Sequence, residues 1–193
     1  MTTSISDSNT DKTISPAWAS ALGVVTIVLG IFLTSFHGNE AMKQAVIAEH
    51  MPESGILPAA VCPEEELEEE GISMAECEYM VKHVEGIALS TPEWFPSVQI
   101  TLASIGALLA FISIIIGGAL VNFKPAATGA AVIVFAGLTL VDAAQFAAVV
   151  NTGPILRDIY LWNILLWLLI HLMMLCAVIA GRHIATASQT ASQ

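Results

Sequence analysis

Bases are the scarce residues of this chain. Six Lys and Arg stand against seventeen Asp and Glu, for a formal net charge of −11. Nucleic acid is excluded as a partner by sign, because phosphate contacts are made with Lys and Arg. Catalytic signatures are missing too: the sequence has no phosphate-binding glycine loop, HExxH, nucleophile elbow or EF-hand loop. With no paired carboxylates in a plausible cleft either, no enzyme is expected. Covalent haem is excluded by the lack of CxxCH.

What the chain has in excess is apolar length, at 55% hydrophobic residues. Crossing a bilayer core of about 30 Å takes roughly twenty apolar residues. Four runs qualify, at 16–36, 97–121, 126–150 and 158–181. Backbone groups in lipid must be satisfied within their own segment, so these runs are helices. The expected fold is an all-α integral membrane protein with four transmembrane helices. A small acidic α-helical cap lies between the first and second. Residues 1–15, rich in Ser, Thr and Asp, read as a disordered tail, and 182–193 as a short cytoplasmic tail. Gly23 and Gly30 share a face of the first helix. Small residues also line the second and third helices, which a short link makes a tight antiparallel hairpin. The fourth helix is bulkier and is expected to face lipid or a partner.

The charge sits in the insert, 37–96. It holds all thirteen Glu against Lys43 and Lys82, and the acids and bases elsewhere balance. Asn39 to Glu49 reads as helix that continues the first span, stopped by Met51-Pro52. Pro63 suits a first helical position ahead of the acids, and Gly71 ends that short helix. Ser73-Met74-Ala75-Glu76 is a capping box opening a second helix to Gly86, with Met74, Cys77, Val81 and Val84 as its apolar stripe. Cys62 and Cys77 are expected to form a disulfide, worth roughly 3 kcal/mol in the chain-entropy model. That chemistry orients the protein: insert on the oxidising, periplasmic or extracellular side of a bacterial inner membrane, both termini in the cytoplasm. Trp94 and Phe95 mark re-entry at headgroup depth. Cys176, deep in the fourth helix, reads as a small buried hydrophobe.

Three sets of residues are candidate sites. Asp142 is the costliest residue within the spans, and an intramembrane carboxylate is a functional hypothesis by default. With Gln145 it faces Asn163 and His171, a polar seam able to carry protons or hold a ligand; the bland reading is a neutral lock between two helices. Counting 1.5 Å per residue puts Asp142 level with Trp167 and His171 about 8 Å deeper, so water rather than direct contact is expected between them. The same count sets His37, at the outer end of the first helix, at a different depth from His171, so a bis-histidine haem is not expected. His50, Met74, Met80 and His83 form a loose Met/His set whose chemistry suits copper, against the plainer reading of core methionines and solvated histidines. Glu64, Glu65, Glu66, Glu68, Glu69 and Glu70 repel one another on one short helix. A solvated face explains them, and so does a basic patch on a partner.

Four helices, a long first external loop with a cysteine pair and a short second loop give a layout similar to the claudin-like tetraspans. The likeness is one of layout: the Trp and Gly-Leu-Trp signature of those loops is absent, and this insert reads helical rather than β. The leading functional expectation is a non-catalytic tetraspan accessory or assembly subunit. It would dock by its fourth helix and present the acidic cap to a membrane protein partner with a basic external patch. The alternative is copper handling or small-ion, proton-coupled transport through the Asp142 seam.

Overall fold

The computed structural model describes residues 17–50, 62–122 and 124–190. The tail 1–15, the Met51-Pro52 stop and the last three residues lie outside them. The elements in order are α1 (Ala17–His50), α2 (Glu64–Glu70), α3 (Met74–Ser90), α4 (Trp94–Val121), α5 (Pro125–Val150) and α6 (Pro154–Thr190). No strand occurs among the described residues. Four helices, α1, α4, α5 and α6, are long and apolar enough to cross a membrane. The protein is an all-α, multi-pass membrane fold.

The spans outrun the apolar runs that mark them. The first continues without a break through Phe36 to His50, as the helical character of Asn39–Glu49 predicts, so His37 lies inside the bundle and not in the cap. Pro125 opens α5 at its first position, where its missing N–H costs nothing.

Helices α1 and α4 form the closest pair, antiparallel and in contact along their lengths. The expected tight hairpin of the second and third spans is there, but the small residues of α4 are spent mainly on α1. A Cβ on Gly117 would stand 2.8 Å from the Gly23 carbonyl oxygen, and one on Gly23 would stand 2.7 Å from that of Gly117. Gly30 lies against Ser113 and Ala110 in the same way. At these points the two backbones touch, which any side chain would prevent. Helix α6 packs on α5 and meets α1 through large rings. Trp167 lies 5.9 Å from Phe32 and 6.0 Å from Phe36, and Trp18 covers Gly181. Its outward face stays apolar and open, with Trp162 74% and Met173 63% exposed. Cys176 is on that exposed face, not buried as expected: the helix turns it away from α5, and in lipid an apolar thiol has no reason to be hidden.

The cap forms as its local signals require. Gly71, at φ 69°, closes α2 with its N–H on the Leu67 carbonyl, the left-handed stop that glycine takes without strain. Pro63 caps the helix in extended conformation rather than entering it. Glu76 accepts from the Ser73 N–H (2.9 Å) and hydroxyl (2.7 Å), while the Glu76 N–H donates to the Ser73 oxygen at 3.3 Å. The Cys62–Cys77 disulfide ties the start of α2 to α3, and α3 leans on α6. Phe95 is fully buried, packed with Val149, Leu156 and Ile164, because the turn 92–94 aims it inward while Trp94 stays half-exposed.

Candidate functional site

The seam residues meet within the bundle. Asp142 on α5 and His171 on α6, each 1% exposed, are in direct contact, Oδ2 to Nδ1, at 2.5 Å. The bridging water expected between them is therefore wrong. Side chains lean toward the N-terminus of their own helix. On antiparallel helices the Asp142 carboxylate leans away from the insert and the His171 ring leans toward it, so the two converge across the difference in level. A buried imidazole and carboxylate satisfy each other here, where either alone would be orphaned in lipid. The contact fixes the direction of the ring: Nδ1 serves the carboxylate, and Nε2 points away, buried and without a described partner. Trp167, one turn toward the insert, stacks on the same ring at 6.2 Å.

His37 completes a polar centre that sequence reasoning assigned to the cap. It is 2% exposed, and its ring rests on the bare backbone of Gly106, where a Cβ would come within 2.9–3.0 Å of three ring atoms. It lines a cavity with Glu40 on its own helix and with Gln145 and Trp167 of the two helices that carry Asp142 and His171. Its neighbour Phe36 meets Trp167, one turn toward the insert from His171, which sets His37 on the insert side of the pair. Neither ring nitrogen of His37 has a described partner, and the buried Oε1 of Gln99 has none either.

Above this centre, toward the insert, lies a vestibule of about 240 Å³. Phe36, Ile164 and Trp167 supply its apolar wall; His37, Gln99, Gln145 and Asn163 supply its polar one. The volume falls below the range of about 300–1,000 Å³ typical of pockets for organic ligands, and suits water and small ions. Its rim is a hydrogen-bonded knot. The Tyr160 hydroxyl receives Lys43 Nζ (3.0 Å) and Gln44 Nε2 (2.9 Å) and donates to Glu40 (2.9 Å). Gln44 also donates to Glu40 at 2.8 Å, and Lys43 stands 5.1 Å over the Tyr160 ring. This knot was missed from sequence, although Glu40, Lys43 and Gln44 at i, i+3 and i+4 signalled one shared helix face. Away from the insert, the bundle is filled by an apolar cluster that includes Ile116, Leu120, Val134, Phe135, Leu138, Met174 and Val178. Among the described residues, the polar-lined cavity near Asp142 and His171 lies on the insert side.

The other predicted sites stay apart from this centre. Met74, Met80 and His83 are exposed along α3. Tyr79 stacks on His83 at 6.1 Å, and Met80 borders an open groove with Ile72 and Ala75. The side chain of His50 lies outside the described residues. Glu64, Glu68, Glu69 and Glu70 are exposed around buried Leu67, and the side chains of Glu65 and Glu66 also lie outside the described set. No protein-family model, curated protein or solved structure matches the chain.

Proposed function

We propose that the protein works as a proton-loading, small-ion-coupled membrane protein without catalytic chemistry, with the Asp142–His171 pair as its ionisable centre. The observation that carries this reading is the buried pair directly behind Trp167, whose ring stacks on His171 and lines a polar vestibule. Histidine is the side chain that ordinarily changes charge near neutral pH, and a carboxylate at hydrogen-bond distance gives the added proton a counter-charge. Evolution retains ionisable groups in spans mostly on ion and proton paths. The apolar cluster on the far side argues against a standing pore. Passage requires that half of the bundle to part, so the ion is taken up from one side and released in a second conformation. On this reading the insert faces the periplasm or exterior of a bacterial inner membrane, where the Cys62–Cys77 disulfide is stable, and the termini face the cytoplasm. Proteoliposomes loaded with a pH-sensitive dye, under an imposed potential, test it. Wild type should acidify faster than empty vesicles, and Asp142→Asn and His171→Gln should fall to the empty-vesicle rate. Equal rates in all four would refute the proposal.

A second reading, an accessory subunit, draws on the wide apolar face of α6 and the exposed acids of α2. A partner with a basic external patch would be steered to that cap by charge. Native mass spectrometry from the protein's own membrane in mild detergent tests it: a reproducible complex supports it, and a lone chain removes it. The copper proposal for His50, Met74, Met80 and His83 is tested by metal analysis of the same sample.

A further inference from the structure

We infer that His37 is the relay through which protons pass from the vestibule to the Asp142–His171 pair, and that Gly106 seats it for that task. The inference rests on the proton-loading reading of the pair. Three observations converge. His37 lines the vestibule together with Trp167, whose other neighbour is the His171 ring, its own neighbour Phe36 meets that Trp167, and it is buried with both ring nitrogens unpartnered. Buried polar atoms are almost always satisfied, by water where protein supplies no partner. An imidazole kept only for packing would be tied down by one hydrogen bond or replaced by an apolar ring. Two free nitrogens, with the orphaned Nε2 of His171 beyond Trp167, are what a relay needs: an entry atom, an exit atom and an acceptor.

The step balances. A proton arriving by vestibule water forms an N–H bond on one nitrogen of His37. The N–H on its other nitrogen breaks, and that proton passes through water to His171 Nε2. His171 becomes the imidazolium with its Nδ1–H still on Asp142, and His37 returns to neutral as its other tautomer. A ring turn then resets it. The charged and titratable groups around His37 are Glu40 and Lys43 on α1, Asp142 on α5, and His171 and Tyr160 on α6. From α4 it meets Gly106 and Gln99, which do not titrate. Gly106 leaves the ring its place, since a methyl there would overlap it.

The test reads His171 through its neighbour. Trp167 stacks on that ring, so its fluorescence falls when the imidazole gains charge. The full chain with Trp18, Trp94 and Trp162 changed to Phe, in nanodiscs, is taken through a rapid drop in pH. His37→Phe should keep the amplitude of the change, which also shows that it folds, and slow it by about a hundredfold, the low end of what a positioned proton-transfer group contributes. His37→Gly should be slow and recover with added imidazole, a rescue that a packing role would not give. If His37→Phe relaxes at the parent rate, or imidazole rescues nothing, the relay is refuted while the loaded pair stands. A parent protein with no pH-dependent Trp167 signal refutes both.

Discussion

Gly117 and Gly118 are neighbours on α4 with opposite surroundings, and alanine at each separates close packing from helix propensity. A Cβ on Gly117 would stand 2.8 Å from the Gly23 oxygen, 2.8 Å from Ile27 Cγ1 and 3.1 Å from the Ile27 nitrogen. Two of these three are backbone atoms of α1, so no rotamer relieves the overlap and the helices must part by several tenths of an ångström. Overpacking of this kind costs about 1–3 kcal/mol. A Cβ on Gly118 would meet nothing within 4 Å. Both changes gain the same propensity, up to about 1 kcal/mol on the aqueous scale, and it cancels in the comparison. Gly117→Ala should therefore be less stable than Gly118→Ala by about 1–3 kcal/mol, roughly a 5- to 150-fold difference in the unfolding equilibrium. Reversible unfolding in mixed micelles of rising SDS content, followed by far-ultraviolet circular dichroism, measures it. Gly23→Ala should behave like Gly117→Ala, and the double variant should lose less than the two single losses together, because one parting of the helices relieves both overlaps. If the two single variants at 117 and 118 agree within about 0.3 kcal/mol, the limit of ordinary additivity error, the backbone contact between α1 and α4 is not as described.

Asp142→Asn keeps a hydrogen bond to His171 but removes the counter-charge, so flux should vanish while bundle stability falls by about 1 kcal/mol or less, the usual scale for interhelical hydrogen bonds in membranes; a loss of several kcal/mol in the same SDS titration would make the pair a structural lock. Cys62→Ser with Cys77→Ser should loosen the cap by roughly 3 kcal/mol and expose it to protease, while the four spans keep their SDS midpoint. Glu76 is held below the ordinary glutamate value, first by the Ser73 N–H and then by its hydroxyl. Its ionised form is thus favoured by folding, and the support it gives α3 is present above that ordinary value and lost as pH falls through the lowered one. Protection of the amides in the first turn of α3, taken relative to intrinsic exchange, should fall on acidification; Ser73→Ala, which keeps the N–H, should weaken the dependence, and Glu76→Gln should abolish it.

The features legible in sequence were those that short stretches decide. The spans follow from apolar length, because lipid leaves a backbone no other way to be satisfied. The capping box, the Gly71 stop and the disulfide loop each depend on residues fewer than twenty positions apart. The ends of the spans were less legible. Hydropathy falls at His37, yet the helix runs on to His50, since propensity and packing against α6 carry it through Glu40, Lys43 and Gln44. What only the tertiary structure decided is which faces meet. Gly117 and Gly118 look alike in sequence, and one touches a backbone while the other does not. The Asp142 and His171 seam was visible from residue type, but its direct contact depended on two side chains leaning toward each other on antiparallel helices, which a count of rise per residue leaves out. His37 belonged to the charged segment by position and to the buried centre by fold. Composition and spacing set the class of the protein because solvation acts on each segment separately. The site required the assembled bundle, because its groups come from all four spans and are brought together only when those helices pack.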